Sequence, residues 1–275
     1  MAARRCACMP FDTRNRRRSE RRDGASTASR EHPVEIPVAG GRIRAVLHLP
    51  ESPSGSLVIC CHGLLSSKDS PKFIAGARAM AQAGLGALRF DFTGCGDTVC
   101  DAGPSLVETR MRDLRAVLDA ALEAHSPTAP LGSHFPEGPP ALALWGSSFG
   151  GYVSLLAAAE YREAVKASVC WATPFDIGSL ARAVESSEIL REHLSPIREL
   201  GQPTELSAVP PSRRVLVIHG QEDEMVPWPQ AVSIYRRMEE PRRLLLLEAA
   251  DHRVTDPSWR SLAIQATIDW LRSHL

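Results

Sequence analysis

Nowhere in this 275-residue chain do apolar residues run to the roughly eighteen that a membrane-spanning helix requires, so no such span is expected. Net charge is also missing: 32 basic residues balance 32 acidic ones, which removes the electrostatic reason to expect nucleic acid as a partner of the whole chain. No C-x-x-C pair has a second pair to match it. Cys6-Ala7-Cys8 and Cys95 with Cys100 are poor ligand spacings without nearby histidines, so no metal site is expected. The cysteines are odd in number, and Cys60, Cys61 and Cys170 sit inside apolar runs. That usage suits small buried hydrophobes in a reducing compartment, with the cytoplasm as the expected location.

The first thirty residues lack apolar periodicity and hold nine arginines against Asp12, Glu20 and Asp23. Such a segment buries too little to offset its ordering entropy, so residues 1–32 are expected to form a disordered basic tail. With no apolar h-region a secretory signal is not expected, while an Arg-rich, acid-poor start is shared by transit peptides and nucleic-acid arms. One domain is expected over residues 33–275, since α/β folds of this length commonly have a single core.

What is present is a regular alternation. Val34 to Val38, a Gly40-Gly41 turn and Ile43 to Leu49 predict an antiparallel hairpin at a sheet edge. Strands at 57–61, 86–92, 141–145 and 167–171 then alternate with helices near 71–83, 106–124 and from 148, which implies a parallel sheet covered on both faces. Met111, Leu114, Val117, Leu118, Ala121 and Leu122 form one helical stripe. Over residues 173–211 the alternation pauses for two short amphipathic pieces, 177–190 and 197–200, and a cap insertion is expected there. A strand from Val215, a helix near 229–238, a strand at 244–248 and a helix from Pro257 complete the pattern.

Gly146-Ser147-Ser148-Phe149-Gly150 joins the apolar run 141–145 to a helical run. A nucleophile on a strained strand-to-helix turn needs glycine two residues away on each side, because a Cβ there would collide with the turn. Ser148 has glycines at both places, whereas Ser147 is flanked by Trp145 and Phe149, so Ser148 is the nucleophile candidate. Three further motifs follow strand-like runs: His62-Gly63, Asp223 beyond the run 215–220, and His252 after 244–248.

The elbow and the chain order Ser, Asp, His resemble the α/β-hydrolase superfamily over about residues 34–275. The resemblance implies a mostly parallel sheet of about eight strands with helices on both faces and a small cap. It implies catalysis by Ser148, His252 and Asp223. The stretch His219 to Pro227 is similar to the family's H-G-x-x-D-x-x-V-P, with Glu222 and Glu224 as rivals to Asp223. The implied oxyanion donors are the backbone N–H groups of Leu64 and Phe149, and His62 is expected to shape that loop. Arg89 to Thr98 is similar to the family's F-D-x-x-G-x-G-x-S, with Thr98 in place of the serine; it is expected to support the fold, with Asp91 bonding backbone N–H groups. Leu65, Phe175, Met225 and Val226 are expected to meet a small acyl substrate. The resemblance is to cofactor-free serine esterases and related peptidases with a short cap, which implies ester hydrolysis through an acyl-enzyme. An aminopeptidase-like amide hydrolase, a thioesterase, an acyltransferase and a non-catalytic binding protein on the same fold remain as alternatives.

Overall fold

A computed structural model describes residues 30–51, 55–101, 103, 105–178 and 200–275. One eight-stranded sheet organises them: β1 (Arg30–Val38), β2 (Gly41–Leu49), β3 (Ser56–Cys61), β4 (Gly86–Phe90), β5 (Ala141–Ser147), β6 (Val165–Trp171), β7 (Arg213–Gly220) and β8 (Glu239–Leu247). Their spatial order is β1-β2-β4-β3-β5-β6-β7-β8. The β1–β2 and β2–β4 pairs are antiparallel and all others are parallel.

Period two divides the side chains between two layers. Leu57, Ile59, Leu142, Leu144, Val215 and Val217 face the layer of α2 (Leu106–Leu122), α3 (Phe149–Glu160) and α4 (Pro229–Arg237). Val58, Cys60, Ala143, Trp145, Leu216 and Ile218 face α1 (Pro71–Gln82) and α5 (Pro257–Arg272) on the other side. Both faces of the central strands are therefore buried, which is why those strands read as continuous apolar runs rather than alternating ones. α1 begins at Pro71, where the missing N–H is one that a first turn would leave without a helical acceptor. α2 is capped by Ser105, whose Oγ accepts from Glu108 N, and α5 by Asp256, whose carboxylate accepts from Ser258 N and Trp259 N.

The two edge strands are longer than their apolar patterns suggest. β1 starts at Arg30, four residues before the expected Val34 and three before the expected domain start, while residues 1–29 lie outside the described residues. Its exposed residues and its prolines, Pro33 and Pro37, suit an edge that leaves one row of backbone groups unpaired. β8 starts at Glu239, before the expected Leu244; Glu239 to Arg243 form a mostly exposed stretch without apolar alternation, so the pattern shows only the second half of the strand.

The expected insertion is clasped at its base. Asp176 bridges Glu205, Ile177 N donates to Thr204 O at 2.9 Å and Leu206 N to Phe175 O at 3.0 Å. The expected cap boundaries at 173 and 211 therefore lie outside this clasp, and residues 174–177 and 204–206 belong to its stem. Of the two amphipathic pieces expected in the cap, 179–190 and 197–199 lie outside the described residues.

Candidate active site

Ser148 ends β5 in a backbone conformation that non-glycine residues rarely adopt, with φ 55° and ψ −129°. This strain points the side chain away from the sheet and requires surroundings that over-determine it. A Cβ on Gly146 would strike the backbone of Gly151, and one on Gly150 would overlap the carbonyl oxygens of Cys61 and His62. The two glycines thus permit close contact of the turn with α3 on one side and with the end of β3 on the other. Ser148 N donates to Trp171 O at 2.8 Å, which ties the turn to β6. Beneath it Trp145 packs on Phe73 and Trp171, with ring centroids 4.7 Å and 5.1 Å away.

Side chains from three distant segments meet at this turn. His252 Nε2 lies 3.0 Å from Ser148 Oγ, and His252 Nδ1 is 2.9 Å from each carboxylate oxygen of Asp223. All three residues follow the carboxyl ends of parallel strands, β5, β7 and β8, which is where such sheets present functional groups. With Nδ1–H donating to Asp223, Nε2 is the acceptor facing the serine hydroxyl.

Asp223 is heavily engaged. Its Oδ1 accepts from Met225 N at 2.9 Å and Val226 N at 2.7 Å, and its Oδ2 lies 3.0 Å from His219 Nε2. Burial alone raises the carboxyl, but hydrogen bonds from His219 and His252, the His252 charge and the Val226 N–H outweigh it and hold the group well below the usual carboxylate range. Asp223 is therefore ionised at neutral pH.

The two rival glutamates have other roles. Glu224 accepts from the backbone N of His252 at 3.1 Å and so anchors the histidine loop, while Glu222 is exposed. His219 was not singled out by the sequence pattern as a site residue. Its Nε2 sits between Asp223 Oδ2 and Val226 O, 2.8 Å from the latter, and so bridges the acid to its own loop. The available signal was a histidine closing the apolar run of β7 on the same face as Val215 and Val217.

The loop after β3 lies against the serine. A Cβ on Gly63 would stand 3.3 Å from Ser148 Cβ and 3.8 Å from its Oγ. Among the described residues no acceptor takes the Leu64 N–H, and Phe149, as the first residue of α3, has no acceptor for its N–H within the helix. His62 is buried. Its Nε2 accepts from Phe92 N at 3.1 Å, so Nδ1 carries the proton and donates to Gly63 O at 2.8 Å. Burial, with the Arg110 charge beside it, keeps this imidazole neutral.

The remaining expected contacts divide. Leu65 is 40% exposed beside the loop, and Phe175 and Met225 are half-buried. Gln230 Oε1 accepts from Phe175 N and Asp176 N, so α4 fixes the start of the insertion. Val226 departs from the expectation: it is 1% exposed, and its backbone N–H and carbonyl serve Asp223 and His219. Its apolar side chain packs inside the protein while its backbone holds the acid loop together. A cavity of about 320 Å³ beside α2 and α3, lined by Val107, Met111, Leu156, Pro203 and Val209 among others, is not lined by Ser148, His252 or Asp223.

Two further polar clusters involve the loop after β3 and the start of α1. Asp91 accepts from Lys68 N at 2.7 Å and Asp97 N at 2.9 Å, the backbone role expected of it, and pairs with buried Lys68. In the second, Lys72 Nζ donates to Ser147 Oγ at 2.8 Å. Burial and the Arg253 charge lower its ammonium to about 8, against the opposing pull of Asp251 and Asp223. No group of three or more His, Cys, Asp or Glu side chains among the described residues is arranged to hold a metal ion, and no described helix is long and apolar enough to cross a membrane.

Residues 52–209 match the family described as serine aminopeptidase, S33. The match covers the loop after β3 and the serine turn; Asp223 and His252 lie beyond it. Human acylamino-acid-releasing enzyme is 24% identical over 265 residues, covering 87% of this chain and 35% of that protein, so the chain spans about a third of that relative's length. Mouse palmitoyl-protein thioesterase ABHD10, mitochondrial, is 26% identical over 241 residues, with 79% and 75% of the two chains covered. Among solved structures, a serine hydrolase without lid from Xanthomonas campestris has a TM-score of 0.63 at 24% identity, covering 92% of this chain and 97% of that one. An esterase from Pyrococcus furiosus reaches 0.69 at 18% identity, covering 92% and 96%. With the family matched over more than half of its length and the fold shared with these structures, the chain belongs to the serine aminopeptidase, S33 family of α/β hydrolases.

Proposed function

We propose that the protein hydrolyses carboxylic esters of small acyl compounds through an acyl-enzyme, with Ser148 as nucleophile, His252 as general base and acid, and Asp223 as the group that orients and charge-balances His252. The observation that carries this is the continuous series Asp223, His252 Nδ1, His252 Nε2, Ser148 Oγ, with every step at 2.9–3.0 Å. Ser148 Oγ attacks the acyl carbon as its proton passes to His252 Nε2, and Asp223 stabilises the resulting imidazolium. The tetrahedral oxygen accepts from the N–H groups of Phe149 and Leu64. Collapse expels the alcohol, which takes the proton from His252. Water, deprotonated in turn by His252, then releases the acid and restores Ser148.

Leu65, Phe175 and Met225 each keep apolar surface partly exposed and are the proposed contacts for the acyl group. The thiols of Cys60, Cys61 and Cys170 are buried and free, and burial pushes Cys61 and Cys170 up to about 12. Unreactive thiols of this kind fit a reducing compartment such as the cytoplasm, which cell fractionation checks. A second reading, acyl thioester hydrolysis, is favoured by the match with the mouse thioesterase, which extends over most of both chains.

A fluorophosphonate probe tests the reading. It is expected to add one phosphonyl group at Ser148, to give no adduct with Ser148→Ala, and to abolish turnover of 4-nitrophenyl acetate in parallel. Folded protein that neither reacts with the probe nor turns over esters or thioesters would overturn it. Comparison of matched oxygen esters and thioesters on one sample separates the two substrate classes.

A further inference from the structure

Arg110 of α2 is 2% exposed and pairs with no carboxylate among the described residues. A buried guanidinium without a counter-ion is costly unless its donors are satisfied. Here they are satisfied by one short stretch of backbone. Nη1 donates to His62 O at 3.2 Å and Nη2 to Leu64 O at 3.1 Å, with longer contacts to Gly63 O at 3.4 and 3.5 Å. Nη2 also approaches Cys95 Sγ at 3.7 Å. The guanidinium carbon stands 4.3 Å from the ring centre of Phe92 and 5.8 Å from that of Phe149.

Carbonyl and N–H of a trans peptide point in opposite directions. Three successive carbonyls converging on Arg110 therefore turn the following N–H groups, those of Gly63, Leu64 and Leu65, away from it. The Gly63 carbonyl belongs to the same peptide plane as the Leu64 N–H, and it is held from two sides, by Arg110 and by His62 Nδ1. Gly63 itself abuts Ser148. The second donor comes from Phe149, whose ring the same guanidinium faces. One buried cation thus touches both segments that supply N–H groups to the serine.

We infer that Arg110 is a positioning residue for the oxyanion hole: its charge and its fork of donors fix the 62–64 peptides, and through them the Leu64 N–H, in the orientation that receives a developing oxyanion. Arg110 does not touch the substrate. Its positive charge, itself withdrawn from solvent, also adds to the field in which the N–H dipoles act. Lysine keeps the charge but offers a single point of donors, and so cannot hold His62 O and Leu64 O together. The inference rests on the proposed serine-hydrolase reading.

The test compares wild type, Arg110→Lys and Arg110→Met on 4-nitrophenyl acetate and 4-nitrophenyl thionoacetate, with thermal melts as a folding control. Loss of one oxyanion donor costs about 10²–10³ in kcat, so loosening one is expected to lower kcat for the oxygen ester by about ten- to a hundredfold with little change in KM. Sulfur accepts hydrogen bonds more weakly than oxygen, so the thionoester has less to lose. The oxo-to-thiono rate ratio is therefore expected to fall in both variants, less in Arg110→Lys. A merely structural role lowers both rates together, so an unchanged ratio, or unchanged kcat in folded variants, overturns the inference. Should Arg110→Met fail to fold, Arg110→Lys decides. An inactive wild type unlabelled by fluorophosphonate sinks the underlying hydrolase reading instead, whereas an active wild type with an unaltered ratio in the variants sinks only the role of Arg110.

Discussion

Replacing Asp223 by asparagine changes one atom, and the structure gives that change a large effect. Four donors converge on the carboxylate: His252 Nδ1, His219 Nε2 and the N–H groups of Met225 and Val226. Asparagine has only one accepting oxygen, and the two backbone N–H groups claim it at the Oδ1 position. The amide nitrogen then occupies the Oδ2 position, with its hydrogens opposed to the N–H of His219 and to Nδ1–H of His252. His252 relieves the conflict by moving its proton to Nε2, the atom that must accept from Ser148. The equivalent change in serine proteases lowers kcat by about 10⁴, equivalent to about 5.4 kcal/mol at about 1.36 kcal/mol per decade. The same loss is expected here in kcat for 4-nitrophenyl acetate, measured by stopped-time absorbance with the active fraction counted by slow fluorophosphonate titration. Stability is expected to fall by about 1.5–3 kcal/mol, the net worth of hydrogen bonds to a charged group. Its pH dependence has a definite sign. The native carboxyl is held below its unfolded value, so the stabilisation is complete above the ordinary carboxylate range and is lost as pH falls through the native value. The gap in Tm between wild type and Asp223→Asn should accordingly close in acid. A folded Asp223→Asn protein retaining more than about a tenth of wild-type kcat would refute the assigned role, since no tautomer penalty of this kind would then operate.

The neighbouring glutamates supply a graded comparison. Glu224→Gln keeps an acceptor for the His252 N–H and is expected to lower kcat by only about two- to fivefold, as for a single exposed hydrogen bond, and Glu222→Gln should leave steady-state kinetics unchanged. Lys72 carries a second pH signature: its ammonium is lowered from 10.5 to about 8 in the fold, so the unfolded chain binds more protons between these values and stability should rise with pH across that window. Partial surface exposure makes the rise shallow, and Tm measured against pH should lose it in Lys72→Met.

Local signals sufficed for the central strands and the serine turn, because both are written in contiguous residues. Runs such as 57–61 and 215–218 are apolar on both faces because helices cover both, and Gly146 and Gly150 are imposed by backbones that approach within a Cβ's radius. The choice of Asp223 over its neighbours was also legible in motif register. Its physical cause was not: Glu224 is drawn to a backbone N–H 28 residues away. Polar edge strands hid the beginnings of β1 and β8, since an exposed strand has no apolar alternation to display. Arg110 was concealed differently. It lies four residues before Leu114 and seven before Val117, on the stripe itself, so a charge occupied a helix position that the period assigns to the interior. Its partners, 46 to 48 residues earlier, are backbone carbonyls and leave no mark in the side-chain sequence.

The clasp formed by residues 175–177 and 204–206 has a practical consequence for redesign. Because the two ends of the excursion are bonded to one another before the chain departs, its closure cost is already met at the neck, and a longer or shorter replacement alters that cost only logarithmically. A replacement for the segment between Gly178 and Leu200 therefore has fixed points to start from and return to, and the bonds of the neck do not depend on its length.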